Sequence, residues 1–494
     1  MQGTCNLCRI YSLVWKHYYF MVERNCILGA GGLIMKVLWL CNIMLPMIAE
    51  HFHKEASNKE GWLSGLVDVV LSRKQENGIE LAIAFPAPQE LLQENGQNAV
   101  FRAEISSRGQ TFAAYGFLED TVHPEHYDIG LEGRMEQVLQ DFQPDLVHCF
   151  GTEYPHTLAM CRAFPEKSRL LVGIQGLCAV YANTYFADLP EKVVHSVTFR
   201  DWLKRDSIVK QQEKFAKRGE QEIAAIKLAG NVTGRTAWDR HYTREWNPKA
   251  RYYPMNETLR AHFYEGEWKR ENCTPHSIFL SQGDYPIKGL HYMLLALPGI
   301  RKVYPDVKVY VAGNSIVKYD TWKDKLKLSA YGKYLRSLMK QEKLWEQVVF
   351  LGRLNSQEMK ARYLKSHLFV CCSTIENSPN SLGEAMLLGM PCVSANVGGI
   401  ASIFQDGEDG ILYDGYYTEE NSFDNKCYFE KISISCLQNN AKALEKAVLE
   451  IWSDEVKMNE FCKNARKHAK KTHDGERNYQ KMTEIYAAII GRNK

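Results

Sequence analysis

The chain has 494 residues, of which 45% are hydrophobic and 24% charged, and its formal net charge is +3. That length allows two or three domains with sizeable cores. The composition argues against long disorder, and so small a net charge argues against a nucleic-acid binder. Fourteen cysteines are scattered along the chain, and Cys149, Cys371, Cys372 and Cys392 lie in apolar runs. These read as buried, reduced thiols, which suit a cytoplasmic protein better than a secreted one. Cys5 and Cys8 have ligand-like spacing, but no second pair completes a zinc site.

In chain order, residues 1–34 fit nothing that follows and are expected to be an extension, either an overextended start or a poorly ordered segment. Met35 opens the apolar run MKVLWLC. Lys36 in that run, and the glycines at 29, 31 and 32 before it, favour a buried strand over a membrane span. Those glycines precede the strand, whereas a phosphate-binding turn must follow one. Apolar runs then recur at Ile79–Phe85, Leu146–Phe150, Leu170–Ile174 and Leu228–Thr233, separated by helix-like stretches such as Leu63–Glu76 and Leu131–Asp141. A polar, weakly periodic join follows near Asn247–His276. A second block has runs at Ser277–Ser281, Val307–Ala312, Val348–Leu351, Leu368–Cys372, Pro391–Ser394 and Gly410–Tyr413. Strands alternating with helices imply parallel sheets covered on both faces. The expectation is an α/β protein of two Rossmann-like doubly wound domains, 35–250 and 251–475, with a C-terminal helix in 476–494 packing back on the first. Lys318–Gln347, lysine-rich and helical, and 416–437, polar and irregular, read as insertions.

Ligands of such sheets bind at the carboxyl ends of the strands. After the run Leu368–Cys372 comes Ser373-Thr-Ile-Glu376-Asn-Ser-Pro-Asn380-Ser381-Leu382-Gly-Glu384-Ala-Met. Pro379 stops regular structure and a helix is expected to start near Asn380. Glu376 then sits on the loop, and Glu384 in the first turns of the helix. Two carboxylates and a helix N-terminus come to one place, where the N-terminus would attract a diphosphate and a carboxylate would accept bonds from sugar hydroxyls. Ser381-x-x-Glu384 also matches a capping box, in which Glu384 would serve only its own helix.

The segment Glu376–Gly407 resembles the donor-site signature of the retaining family 4 (group 1) glycosyltransferases, which have the GT-B fold. The resemblance rests on Glu376, Glu384-Ala-Met, Gly389, Pro391, Gly398-Gly399, Asp406-Gly407 and Gly410, and upstream on Pro286-Ile-Lys288-Gly289. It covers about 277–415; the first half matches in layout more than in letters. It implies that Glu384 binds the donor ribose, that Glu376 lies near the transferred sugar, and that Lys288 neutralises the donor diphosphate. Gly352 and Arg353 would lie near the base, with Gly289, Asn380, Ser381 and Leu382 around the donor. By itself, Lys288 could equally be a solvated surface lysine. The family usually carries an arginine shortly before that lysine, where this chain has Ser281-Gln282-Gly283-Asp284. Arg235 and Arg353 are the candidate replacements.

No Asp-x-Asp metal motif is present. Metal-free stabilisation of the leaving diphosphate by Lys288 and helix N-termini is therefore expected, with a UDP- or GDP-sugar as the only co-substrate. The acceptor side is less specified. The same resemblance makes His148 and His156 candidates to face the reacting sugar, with a satisfied core or surface histidine as the alternative for each, and places Glu153, Gly61 and Trp62 near the acceptor. The stretch Phe199–Arg218 carries Lys204, Arg205, Lys210, Lys214, Lys217 and Arg218 with Trp202 and Leu203. As a basic helix it could rest on an anionic membrane, which would suit a lipid-linked acceptor, or be a solvated face. The leading expectation is a retaining sugar transferase of surface-polysaccharide or glycolipid assembly, cytoplasmic and peripheral to the membrane. A nucleotide-sugar epimerase of the same fold and a non-catalytic nucleotide-sugar binder are the alternatives. A dinucleotide oxidoreductase is disfavoured, since no G-x-G-x-x-G follows the first strand.

Overall fold

The computed structural model describes residues 34–55, 61–73, 78–107, 109–318, 320–414 and 434–491. The expected N-terminal extension up to residue 33, and most of the 416–437 insertion, lie outside the described residues.

The first strand, β1 (Met35–Cys41), shows why its sheet is covered on both faces. Leu38 and Leu40 enter one core, and Val37, Trp39 and Cys41 enter another, because successive side chains of a strand point to opposite sides. β1 is joined by β2 (Ile79–Ala87), β3 (Val100–Ser107), β4 (Gln110–Leu118), β5 (Leu146–Phe150), β6 (Leu170–Gly173), β7 (Asn231–Gly234) and β8 (Arg251–Pro254). Their order across the sheet is β3-β4-β2-β1-β5-β6-β7-β8. All pairs are parallel except the hairpin β3–β4. The second sheet contains β9 (Ser277–Leu280), β10 (Lys308–Ala312), β11 (Val348–Gly352), β12 (Leu368–Cys371), β13 (Cys392–Ala395) and β14 (Ile411–Tyr413). Its order is β11-β10-β9-β12-β13-β14, parallel throughout.

Each second-block run overlaps an observed strand. The first block departs in three places. The hairpin β3–β4 was not anticipated. Leu228 closes the helix Ile208–Leu228, and the strand expected there starts at Asn231. β8 pairs with β7, so the first lobe's sheet extends past residue 250. The 318–347 insertion forms the helices Trp322–Lys327 and Ala330–Gln341.

Both sheets change direction beside their first strand. β2 and β5 flank β1, and β10 and β12 flank β9. Crossovers part at such a point and leave a crevice at the carboxyl ends. In the first lobe that crevice opens at Asn42 and 151–153, and in the second at 281–288 and 372–376. The last helix, Gly475–Ile490, returns to the first lobe. Tyr479, Met482, Ile485, Tyr486 and Ile489 form one stripe in the core that holds Trp39, as the helical period requires.

Candidate active site

Beyond β9 the chain turns through the short 3-10 helix Pro286–Lys288 into Gly289. Gly289 has φ +71°, and a Cβ there would lie 1.8 Å from the carbonyl oxygen of Cys372. Only glycine permits that approach, which presses the Lys288 turn onto the end of β12. Thr374 N donates to Ile287 O at 2.8 Å across the same junction. Lys288 Nζ consequently meets Glu376 Oε1 at 2.5 Å. Ser373 Oγ donates to the same oxygen at 2.7 Å, and the Tyr285 ring centroid lies 5.7 Å from Nζ. Burial would pull the Lys288 ammonium down, but the charge of Glu376, then Tyr285, outweighs it and raises its pKa well above the usual lysine value. Tyr181, on the first-lobe helix Cys178–Thr184, is raised chiefly by burial and feels the charges of both Glu376 and Lys288. The pair therefore faces the other lobe. The loop is pinned there as well: Gly399 N donates to Glu376 O at 2.9 Å. Asn377 exchanges hydrogen bonds with Thr236 at 2.6 Å and Asp239 at 3.2 Å across the lobes.

Glu384 departs from the expected cluster. Its helix, Asn380–Leu388, begins after Pro379 with no side-chain cap, so the Ser381–Glu384 capping box does not form. The Glu384 carboxylate is buried and pairs with Arg260, with Nε at 2.7 Å and Nη2 at 2.6 Å from Oε1. Burial pushes its pKa up to about 7 against the opposing pull of Arg260. The carboxyl end of the second sheet thus carries two ion pairs, Lys288–Glu376 and Arg260–Glu384, rather than one three-membered cluster. Asn380 bonds to Glu257. The backbone oxygen of Ser381 accepts from Tyr363 at 2.9 Å. Leu382 is a fully buried core residue whose amide bonds to Pro379 O.

The candidate replacement cations fare differently. The Arg235 guanidinium is committed to the buried carboxylate of Glu257 and to Gln175 O at 3.1 Å, so it is a structural pair and not a spare diphosphate ligand. Arg353 is exposed. Its Nε donates to Asn314 Oδ1 at 2.9 Å, and Asn314 Nδ2 donates to Asp284 Oδ2 at 3.1 Å. That chain ties together the carboxyl ends of β11, β10 and β9. Gly352 before it has φ +76° and open space beside it. Gly283 is a packing position, since a Cβ there would come within 2.8 Å of Val311.

The first-lobe candidates are largely reassigned. His148 lies inside β5, fully buried, with Nδ1 2.7 Å from the Tyr486 hydroxyl, which also accepts from Trp39 Nε1 at 2.9 Å. Burial lowers its pKa to about 3. It is a neutral core histidine that fastens the last helix. His156 is also fully buried, with Nδ1 2.7 Å from Glu119 Oε2 and Nε2 3.0 Å from Asn42 Oδ1. Both rings are thus structural rather than open to the cleft. Glu153 does sit at the crevice, its carboxylate accepting from Thr152 N at 2.9 Å and Gly176 N at 3.1 Å. Gly61 and Trp62 begin the helix Gly61–Ser72. Asn42, Glu119 and Glu222 had no sequence signal. Glu222 is fully buried, accepts from Thr152 Oγ1 at 2.6 Å and Ala179 N at 3.0 Å, and is pushed by burial to about 8.

The basic stretch Phe199–Arg218 is not one helix. The helix Phe199–Lys204 ends at Arg205, with φ 50°, before Ile208–Leu228 begins. Lys210 pairs with Glu213 and Lys214 with Glu125, while Arg218 lies against Glu153 O and the Phe215 ring. Among the described residues, no three His, Cys, Asp or Glu side chains are grouped to hold a metal. No described helix is long and apolar enough to cross a membrane.

Comparison with known proteins falls on the same region. Residues 269–424 match the family described as glycosyl transferases group 1. A spore coat protein SA of Bacillus subtilis is 29% identical over 149 residues, 30% of this chain and 36% of that protein. A phosphatidyl-myo-inositol mannosyltransferase of Mycobacterium leprae is 29% identical over 137 residues, 27% of this chain and 32% of that one. The chain therefore spans about a third of the length of these relatives. Two solved structures superpose over 92% of the chain. A sucrose-phosphate synthase from Thermosynechococcus elongatus is covered over 100% of its length at TM-score 0.58 and 13% identity. Anabaena HepE, in complex with UDP and glucose, is covered over 99% at TM-score 0.57 and 14% identity. The chain has the GT-B fold of these enzymes, and the segment that matches the group 1 glycosyl transferases carries Lys288, Glu376 and Glu384.

Proposed function

We propose that the chain transfers a sugar, with retention and without a metal, from a UDP- or GDP-sugar to a saccharide or lipid-linked acceptor in surface-polysaccharide or glycolipid assembly. The observation that carries this reading is the Lys288–Glu376 pair at the switch point of the second sheet, beside Tyr181 of the first lobe. In the reaction the bond from the anomeric carbon to the diphosphate oxygen breaks, and its electron pair leaves with the diphosphate. The acceptor hydroxyl oxygen forms the new bond and gives up its proton to the departing diphosphate oxygen. An ammonium has three donors, so Lys288 can hold Glu376 and still meet the growing negative charge of the leaving group. Glu376 would accept from the sugar hydroxyls, and Glu384, oriented by Arg260, from the ribose. Of the two candidate replacements, the exposed Arg353 is the one that would approach the nucleotide. Support for the nucleotide comes from the UDP bound by Anabaena HepE. Support for a lipid-linked acceptor comes from the name of the mycobacterial relative.

A panel of nucleotide sugars screened by thermal shift tests the donor, because a ligand of the native state raises apparent stability by mass action. NMR of the product with the stabilising donor, with and without chelator, then reads anomeric configuration and metal dependence. Absence of any stabilising nucleotide sugar would refute the reading. Rearrangement of the donor without an acceptor would favour the epimerase.

A further inference from the structure

Thirteen large hydrophobic side chains are exposed among the described residues, and six of them lie on two short segments: Val197, Phe199, Trp202 and Leu203, and Trp322 and Leu326. The helices Phe199–Lys204 and Trp322–Lys327, which carry all of these but Val197, touch each other although they belong to different lobes. Both begin with a capping box, from Thr198 with Asp201 and from Thr321 with Asp324. The buried Asp201 carboxylate also accepts from Ala330 N at 2.9 Å, which ties the first helix to the insertion. Trp202 and Trp322 are nevertheless 68% and 66% exposed. Apolar groups this bulky, concentrated on so small a part of the surface, mark an interaction site rather than ordinary exposure.

The charges around the patch choose the partner. Lys204, Arg205, Lys323, Lys325 and Lys327 are all exposed. Three of the nearby acids are engaged within the protein, Asp201 and Asp324 in the caps and Asp206 with Arg200 at 3.0 Å, while the exposed Asp320 lies 3.8 Å from Lys318. Tryptophan, phenylalanine and leucine ringed by cations match a bilayer interface that offers acyl chains beneath anionic headgroups. We infer that this bipartite surface docks the protein on an anionic lipid bilayer, seating one helix of each lobe at once. The surface lies outside the donor site, and the inference stands whether or not sugar transfer does.

Cosedimentation of the full chain with phosphatidylcholine vesicles, with and without phosphatidylglycerol, tests it. The expected result is binding that requires phosphatidylglycerol, weakens with salt, and is lost in Trp202→Ser/Trp322→Ser. Each cation near such a surface is worth about fivefold, so Lys323→Gln/Lys327→Gln should bind about 25-fold more weakly. Brominated lipid should quench the wild-type tryptophan fluorescence more than that of the tryptophan variant. These side chains are exposed, so the variants should melt with the wild type. Absence of wild-type binding, or equal binding by all three proteins, would overturn the inference. So would a self-associated dimer that the tryptophan variant abolishes without any lipid binding, which would assign the patch to a second copy.

Discussion

Replacing Lys288 by methionine separates two roles that the structure assigns to one side chain. The ammonium and the Glu376 carboxylate are only 18% and 10% exposed. Removing one partner of such a pair strands the other, at a cost of about 3–5 kcal/mol. Ser373 Oγ still donates to Glu376 at 2.7 Å, so the low end, about 3 kcal/mol, is expected. Adding Glu376→Gln removes the stranded charge, and the double variant should return to within about 1 kcal/mol of the wild type. Turnover should behave otherwise. Losing a preorganised group aimed at developing charge raises a barrier by about 3 kcal/mol, a few hundredfold in rate. No carboxamide at 376 restores it. The assay is paired: denaturant unfolding, and the rate of nucleotide release in the presence of donor and acceptor. Stability rescued with turnover still lost is the predicted pattern. Recovery of turnover in the double variant would falsify the assignment of Lys288 to the leaving group. Unchanged stability in the single variant would show that the pair is not buried in solution.

The second lobe was legible because its six strands are short and parallel and, apart from the edge strand β11, largely buried, so each appears as a compact apolar run between polar helices. The hairpin β3–β4 carries a different signal. In Phe101-Arg-Ala-Glu-Ile105 the apolar and charged residues alternate, the period of a strand covered on one face, which a search for continuous runs passes over. β8 is an edge strand of four partly exposed residues ending in Pro254, with too little pattern to find. At the site, Lys288 and Glu376 were legible because each sits in a local motif after a strand. Arg260 was not, since its partner Glu384 is 124 residues away and the join around it has no periodicity. At His148 the core alternative holds, and the reason is parity. Val147 and Cys149 face one core of the sheet, while Leu146 and Phe150 face the other. His148 alternates with Val147 and Cys149, so it lies on the face covered by the last helix and not in the loop beyond the strand.

Gly289→Ala should yield insoluble or unfolded protein, because both the φ of +71° and the 1.8 Å approach to Cys372 O exclude a side chain; soluble expression with a wild-type melting temperature would contradict the close contact. Glu222, at about 8 in the folded protein, binds its proton more tightly than in the unfolded chain. Stability should therefore fall as pH rises from about 4.5 to 8, by on the order of 5 kcal/mol from this group, and the fall should be smaller in Glu222→Gln. Melting curves across that range read the difference. Glu384, at about 7, must be ionised to accept both ribose hydroxyls, so UDP affinity measured by calorimetry should rise about tenfold from about pH 6 to 8. That rise should vanish in Glu384→Gln; an equal rise in both proteins would move the nucleotide elsewhere. Finally, Tyr486→Phe keeps the ring that fills the core but deletes the hydroxyl serving Trp39 and His148. Both partners are fully buried, and each orphaned polar group costs about 1–3 kcal/mol, so about 4 kcal/mol should be lost between the last helix and the first sheet. Amide exchange should quicken over 475–490 and in β1. A histidine that only fastens the fold leaves turnover and its pH profile unchanged well below the melting temperature. A shifted pH profile in this variant would restore His148 to the reaction, and unchanged exchange would mean that the apolar stripe holds the helix alone.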